Sequence, residues 1–270
     1  MQPVLFELFG IPINSYGVSK ALAAIVAAYL LSREFDRLGW NREKAWDLVF
    51  LATVVGFLGG KAYFLVENAG DLQLHHLGAS GFTWYGGLIA GAATFVWLAK
   101  RHGLPLATLA GISAAPLAVA YGIGRIGCFL AGDGTYGRPT DLPWGMAFPD
   151  GFVPTTVPVH PTGLYEAAAA FVLAAALWSL RAHMPPLRLF GVYAIASGLT
   201  RILVETVRTN DPVLLGLTQP QIWSMALVVL GCVLLLVRQR ETSPMEAVGA
   251  EGATDEVPST ASVTDERARS

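Results

Sequence analysis

Residues Gly124–Gly137 read GRIGCFLAGDGTYG. The stretch closes an apolar run that begins near residue 105, and it places Arg125 where hydrocarbon is expected. A guanidinium at that depth is costly unless it faces a polar cavity, so Arg125 marks a candidate site. Whether that run crosses a bilayer decides the fold, and the remainder of the chain bears on it.

Of 270 residues, 53% are hydrophobic and only 14% charged, with a mean hydropathy of +0.50. A soluble globular domain carries roughly 25% charged residues. The apolar surplus falls into seven segments, at 15–32, 45–66, 82–99, 105–131, 161–181, 188–207 and 221–238. Each is near the length that crosses a bilayer as a helix. Backbone in lipid must satisfy its own hydrogen bonds, and no window alternates long enough to compete as a strand, so helices are predicted. The expected fold is an all-α polytopic membrane protein with seven transmembrane helices over 1–240. Ala-rich stretches and the Gly pairs at 59–60 and 86–87 suit close helix contact. Residues 132–160, rich in Gly, Pro and aromatics, are too long for a simple turn and predict an ordered cap between the fourth and fifth helices. From 241 to 270 the chain is Glu, Thr, Ser, Ala and Pro with few large apolar residues, and reads as a disordered tail.

Basic residues set the orientation. Arg33, Arg37, Arg42, Lys44, Lys100, Arg101, Arg181, Arg188, Arg238 and Arg240 follow the odd-numbered segments. The alternate connections hold only Arg138 and Arg208. The N-terminus is therefore expected outside, the C-terminus in the cytoplasm, and the 132–160 cap on the outer face. The net charge of −2 comes from the tail, which has seven acids against three arginines from Gln239 onward. Cys128 and Cys232 sit in different apolar segments, without CxxC or HExxH spacing, so neither a disulfide framework nor a metal site is expected. The N-terminus lacks a basic n-region, and no cleavable signal peptide is read there.

This orientation sorts the intramembrane charges by depth. Lys20, Lys61, Arg125, Glu166, Arg201 and Glu205 all fall in the outer half, and only Asp47 lies near the inner end. Convergence on one side suggests a single polar cavity open to the outer leaflet. Four cations against two carboxylates make it prefer an anion, and arginine suits bidentate phosphate contact. A negatively charged phospholipid head group lies at this depth. Arg201, Glu205 and Arg208 share a helix face, so Glu205 can orient Arg201. Read residue by residue, interhelical ion pairs or interfacial snorkelling explain the same charges.

With these residues in view, the chain resembles the prolipoprotein diacylglyceryl transferases. GRIGCFLAGDGTYG is similar to the family's GRxGNFxNxExxG. Ile13–Gly17 (INSYG), Gly59–Tyr63 (GGKAY), Tyr85–Gly87 (YGG), His160–Glu166 (HPTGLYE) and Arg201–Asp211 (RILVETVRTND) resemble its tyrosine-glycine, GxRxxY, HGG, HPxQLYE and RFxxExxRxPD motifs. The resemblance covers about residues 13–238. It implies transfer of the diacylglyceryl group of phosphatidylglycerol to the lipobox cysteine of a preprolipoprotein in the bacterial inner membrane. That reaction is the first step of lipoprotein maturation; it forms a thioether and releases glycerol 1-phosphate. No cofactor, metal or nucleic-acid partner is implied.

On this resemblance Arg125 and Arg201 would stabilise developing phosphate charge, supported by Glu205. Tyr16, Lys61, Gly86, Gly137, Glu166 and Arg208 would contact substrate. The thiol must lose its proton. Tyr85 replaces the family histidine and is suited to hydrogen-bonding the head group. The base is open among His160, Asp133 and Glu166, or the cationic cavity itself promotes ionisation. The chain departs from the pattern at Cys128, Ala131, Asp133, Gly163 and Ser197. Cys128 lies three residues after Arg125 on the same side of the helix, either as a packing residue or in a covalent role. Two other readings use the same residues: a non-catalytic phospholipid-binding or transport protein, and a related transferase with a different thiol acceptor.

Overall fold

The computed structural model describes residues 2–71, 73 and 81–237. The tail from 241, expected to be disordered, lies outside the described residues. Among the described residues, seven α-helices occupy the seven apolar segments: α1 (Ser15–Arg37), α2 (Arg42–Glu67), α3 (Trp84–Arg101), α4 (Leu106–Ala131), α5 (Thr162–Leu180), α6 (Pro186–Glu205) and α7 (Gln219–Leu236). All but α3 are long and apolar enough to cross a membrane. Lys100 and Arg101 fall within the 18 residues of α3.

The all-α expectation needs one correction. Among the described residues, three antiparallel hairpins flank the helices: β1 (Val4–Leu8) with β2 (Ile11–Asn14), β3 (Met146–Phe148) with β4 (Thr155–Val159), and β5 (Pro212–Leu214) with β6 (Leu217–Thr218). Their strands have two to five residues, too short for alternation to register in a sequence window. Each adjoins the same end of the bundle: β2 runs into α1, β3 and β4 lie between α4 and α5, and β5 and β6 join α6 to α7.

At the centre is α4, packed against α1, α5 and α6. Its neighbours bury Ala114, Ala115 and Ala118 with Ala174, Leu177 and Leu189. A second cluster, with Leu31, Phe35, Leu48, Leu98 and Leu109, ties α1, α2 and α3 to the start of α4, at the end of the bundle away from the hairpins. The outer helices α2 and α7 turn most of their apolar side chains outward, including Phe50, Leu58 and Val229. That arrangement suits hydrocarbon as solvent. Glycine permits the close contacts: a Cβ at Gly86 would come within 2.5 Å of the Gly59 carbonyl oxygen on α2, and one at Gly127 within 2.7 Å of Ser19 Oγ on α1.

Gly132 ends α4 in the left-handed region, at φ 58°, and directs the chain into the 132–160 segment. There Phe148 is fully buried, edge-on to Phe129 and stacked on Tyr136 at 5.0 Å. The segment therefore packs onto the end of α4 as ordered structure.

One helix boundary differs consequentially from the prediction. The first helix continues past residue 32 to Arg37, which makes Glu34 a buried helical residue. Its carboxylate, absent from the sequence-based charge inventory, is gripped by Arg37 and Arg181.

Candidate functional site

Glu166 lies in the first turns of α5 and its side chain is 1% exposed. Burying a carboxylate is tolerable only with charged partners. Two are supplied from different helices. Arg125 Nε on α4 lies 2.5 Å from Glu166 Oε2, and Arg201 Nη1 on α6 pairs with Oε1. Arg201 also reaches Glu205 Oε2, one turn on, at 3.0 Å. Glu205 is buried as well; its Oε1 accepts from Asn210 Nδ2 (2.5 Å) and Thr218 Oγ1 (2.9 Å). Arg208 Nε stands 3.8 Å from Glu205 Oε2.

Three guanidinium groups thus share two buried carboxylates, leaving an excess positive charge. Arg208, just beyond the end of α6, has Nη1 buried without a hydrogen-bond partner among the described residues. Burial lowers its pKa, as does Arg201; Glu166 and Glu205 act in the opposite sense. An arginine starts so far above neutrality that the group stays charged. A buried cationic donor of this kind calls for an anionic acceptor.

Arg125 is held on three sides. Its Nε donates to Tyr121 Oη at 3.1 Å, its plane lies over the Tyr121 ring, and its Nη1 faces Cys128 Sγ at 3.8 Å. Cys128 is thus beside the guanidinium, on the side of the helix that the spacing implied. Tyr16 and Asp133 are electrostatic neighbours of Cys128. Asp133 Oδ1 accepts from the Thr135 amide (3.1 Å) and hydroxyl (2.7 Å). Its carboxylate is also within hydrogen-bonding reach of the Cys128 side chain. Lys20 Nζ approaches the Tyr16 ring, 5.0 Å from its centroid, and lies beside Gly124.

Other expected residues stand around this cluster rather than in it. His160 is buried, with Nδ1 3.3 Å from Tyr165 Oη, which in turn accepts from Trp144 Nε1 at 2.8 Å. These three line a cavity of about 400 Å³ with Leu203 and Val207. Tyr85 packs against Trp84 and, across to α7, Trp223. The described contacts of Lys61 are with Phe64, Phe82 and the Gly81 carbonyl. Gly86 and Gly137 are points of close approach: a Cβ on Gly137 would meet the Val207 carbonyl oxygen at 2.5 Å and His160 Cβ at 2.9 Å. Gly137 N–H donates to His160 O within the 132–160 segment, and Thr162 Oγ1 at the start of α5 donates to the Thr135 carbonyl (2.5 Å), fixing the segment against α5.

Sequence reasoning missed Tyr121, Asn210 and Thr218. Tyr121 sits four residues before Arg125, and helical spacing alone could have found it. Thr218 reaches Glu205 only because β5 and β6 fold back, and no local pattern announces that.

A family model described as prolipoprotein diacylglyceryl transferase matches residues 3–237. The chain is 36% identical over 219 residues to the phosphatidylglycerol–prolipoprotein diacylglyceryl transferase of Clostridium tetani, covering 78% of this chain and 87% of that protein. It is 33% identical to the protein of the same name from Vibrio vulnificus (78% and 80% covered) and 32% identical to that from Pseudomonas putida (87% and 93% covered).

Proposed function

Because this chain belongs to the prolipoprotein diacylglyceryl transferase family, we propose that it moves the diacylglyceryl group of phosphatidylglycerol onto the lipobox cysteine of a preprolipoprotein. The observation that carries the proposal is the three-arginine, two-carboxylate cluster, with an Arg208 Nη1 that has no hydrogen-bond partner among the described residues. A phosphodiester anion fits that surplus charge and that donor.

In the proposed reaction the cysteine sulfur attacks the diacylglyceryl carbon that bears the phosphate. The carbon–sulfur bond forms as the carbon–oxygen bond breaks, and glycerol 1-phosphate leaves with the electron pair. Arg125 and Arg201 stabilise the charge growing on the leaving phosphate, and Arg208 holds it. Glu166 and Glu205 keep the guanidinium groups in position. Asp133 is the assigned base: its carboxylate, held by the Thr135 amide and hydroxyl, lies beside Cys128 at the α4 end that carries Arg125. Tyr16 and Lys20 flank the head group, Tyr85 and Lys61 stand at the α2–α3 side of the entrance, and Gly86 and Gly137 allow the walls to close. His160 and Tyr165 shape the adjoining cavity, where lipid or signal-peptide side chains would lie.

We place all seven helices across the bacterial inner membrane, with α3 as the least apolar span. The N-terminus and the 132–160 cap face outward, as the distribution of basic residues argues. The test supplies purified protein with phosphatidylglycerol and a lipobox peptide and follows glycerol phosphate release and the mass gain of the peptide. Absence of both, beside an active relative, refutes the proposal. Asp133→Asn is expected to lower kcat with little change in KM for lipid; an unchanged kcat removes Asp133 as the base.

A further inference from the structure

The Glu166 bridge has a counterpart at the far end of the bundle. Glu34 is as deeply buried and also joins two arginines from different helices. Arg37 on α1 donates to Oε2 through Nε (2.9 Å) and Nη2 (2.6 Å), and Arg181, which caps α5, donates to Oε1 through Nε (2.7 Å). The Arg181 guanidinium lies over the Trp178 ring, 3.9 Å from its centroid, and its Nη1 donates to the Trp178 carbonyl. Both forks are therefore fixed before any ligand arrives, each with an Nη nitrogen that these contacts leave open. Helices α1 and α5 each run between the two Glu-centred clusters. With 23 residues in α1, rising about 1.5 Å each, the clusters are separated by about the thickness of a bilayer core.

Around Glu34 a cavity of about 420 Å³ is lined by Arg33, Asp36, Arg37, Arg42, Trp178 and Arg181. That volume lies within the usual range of small-molecule sites, about 300–1,000 Å³. Asp36 engages Arg42 at 3.2 Å, and both of them are substantially exposed. Arg33 donates to Tyr29 Oη at 3.3 Å and has no carboxylate partner among the described residues. Four arginines against two carboxylates leave the cavity with a surplus of two positive charges. Snorkelling explains basic residues at a helix end, but it does not require a buried carboxylate that locks two of them into a shared fork.

We propose that this cavity is a second anion site, specific for a phosphate group and separate from the Arg125 cluster. Its ligand is the phosphodiester of an anionic phospholipid in the leaflet at that end of the bundle, or a soluble phosphate of the same chemistry. The site does not depend on the proposed transfer reaction.

The test uses the full chain in detergent and counts bound molecules by native mass spectrometry. Titrations use dioleoylphosphatidylglycerol, dioleoylphosphatidylcholine and inorganic phosphate as probes. Arg33→Gln with Arg42→Gln alters exposed positions and leaves the Glu34 bridge intact. It is expected to weaken one phosphatidylglycerol site by about tenfold. Asp36→Asn frees Arg42 and is expected to shift the same site the other way, by a few-fold. Phosphatidylcholine should not fill it. Displacement of the lipid by millimolar inorganic phosphate supports the site and names the soluble ion as its ligand; resistance to displacement names the lipid. Wild-type stoichiometry and affinity in both variants, or equal uptake of phosphatidylcholine, overturns the proposal. A loss of peptide transfer without loss of this binding bears only on the Arg125 cluster.

Discussion

Replacing Glu166 by glutamine probes the centre of the site with almost no change in shape. The substitution removes one negative charge from between Arg125 and Arg201, whose side chains are 17% and 18% exposed. Breaking a buried pair by removing one partner costs about 3–5 kcal/mol. Because both arginines retain some access to water, the lower end applies, about 3 kcal/mol, or roughly a hundredfold in the folding equilibrium. Glu166→Gln should therefore unfold at distinctly lower SDS fraction than wild type when tryptophan fluorescence is followed in mixed micelles. An anion in the cluster neutralises what the carboxylate no longer does. Added phosphatidylglycerol should then recover part of the loss, by linkage between binding and folding. Turnover should still fall, because Arg125 and Arg201 lose the group that aims them. A Glu166→Gln protein with the wild-type unfolding midpoint and near wild-type turnover would show that the bridge neither stabilises the bundle nor organises the site.

Arg125→Ala and Arg201→Ala should each reduce kcat by about a hundred- to a thousandfold, the range for losing one preorganised donor to a developing anion; glycerol phosphate release measures it. Arg125→Lys should recover little, since an ammonium cannot reproduce the fork that meets Tyr121 and Glu166 together. Thr218→Val removes the 2.9 Å donor to Glu205 Oε1 and should cost about 1.5–3 kcal/mol in the same unfolding titration, although residue 218 lies outside every quoted motif. Gly86→Val would press on the Gly59 carbonyl and should cost about 1–3 kcal/mol by forcing α3 off α2, visible as a lower unfolding midpoint.

The helices were legible in the sequence because a bilayer demands long apolar runs, and the seven predicted segments match α1–α7 to within a few residues at most ends. Arg125, Glu166, Arg201 and Glu205 were legible as a group for the same reason, since charge in an apolar run is costly wherever it occurs. Composition and spacing could say that these residues lie at one depth. They could not say which carboxylate holds which arginine, because depth fixes one coordinate and leaves the rotation of each helix open. Tertiary packing set Glu166 between Arg125 and Arg201, moved His160 into a separate contact with Tyr165, and brought Thr218 onto Glu205 through a short hairpin. It also extended α1 far enough to bury Glu34, a residue whose sequence surroundings are those of an exposed loop. In the GRIGCFLAGDGTYG stretch the sequence determined that Arg125 must face something polar. Only the crossing of α4, α5 and α6 decided that it faces Glu166, because an ion pair between helices depends on their relative rotation and not on the order of residues along any one of them.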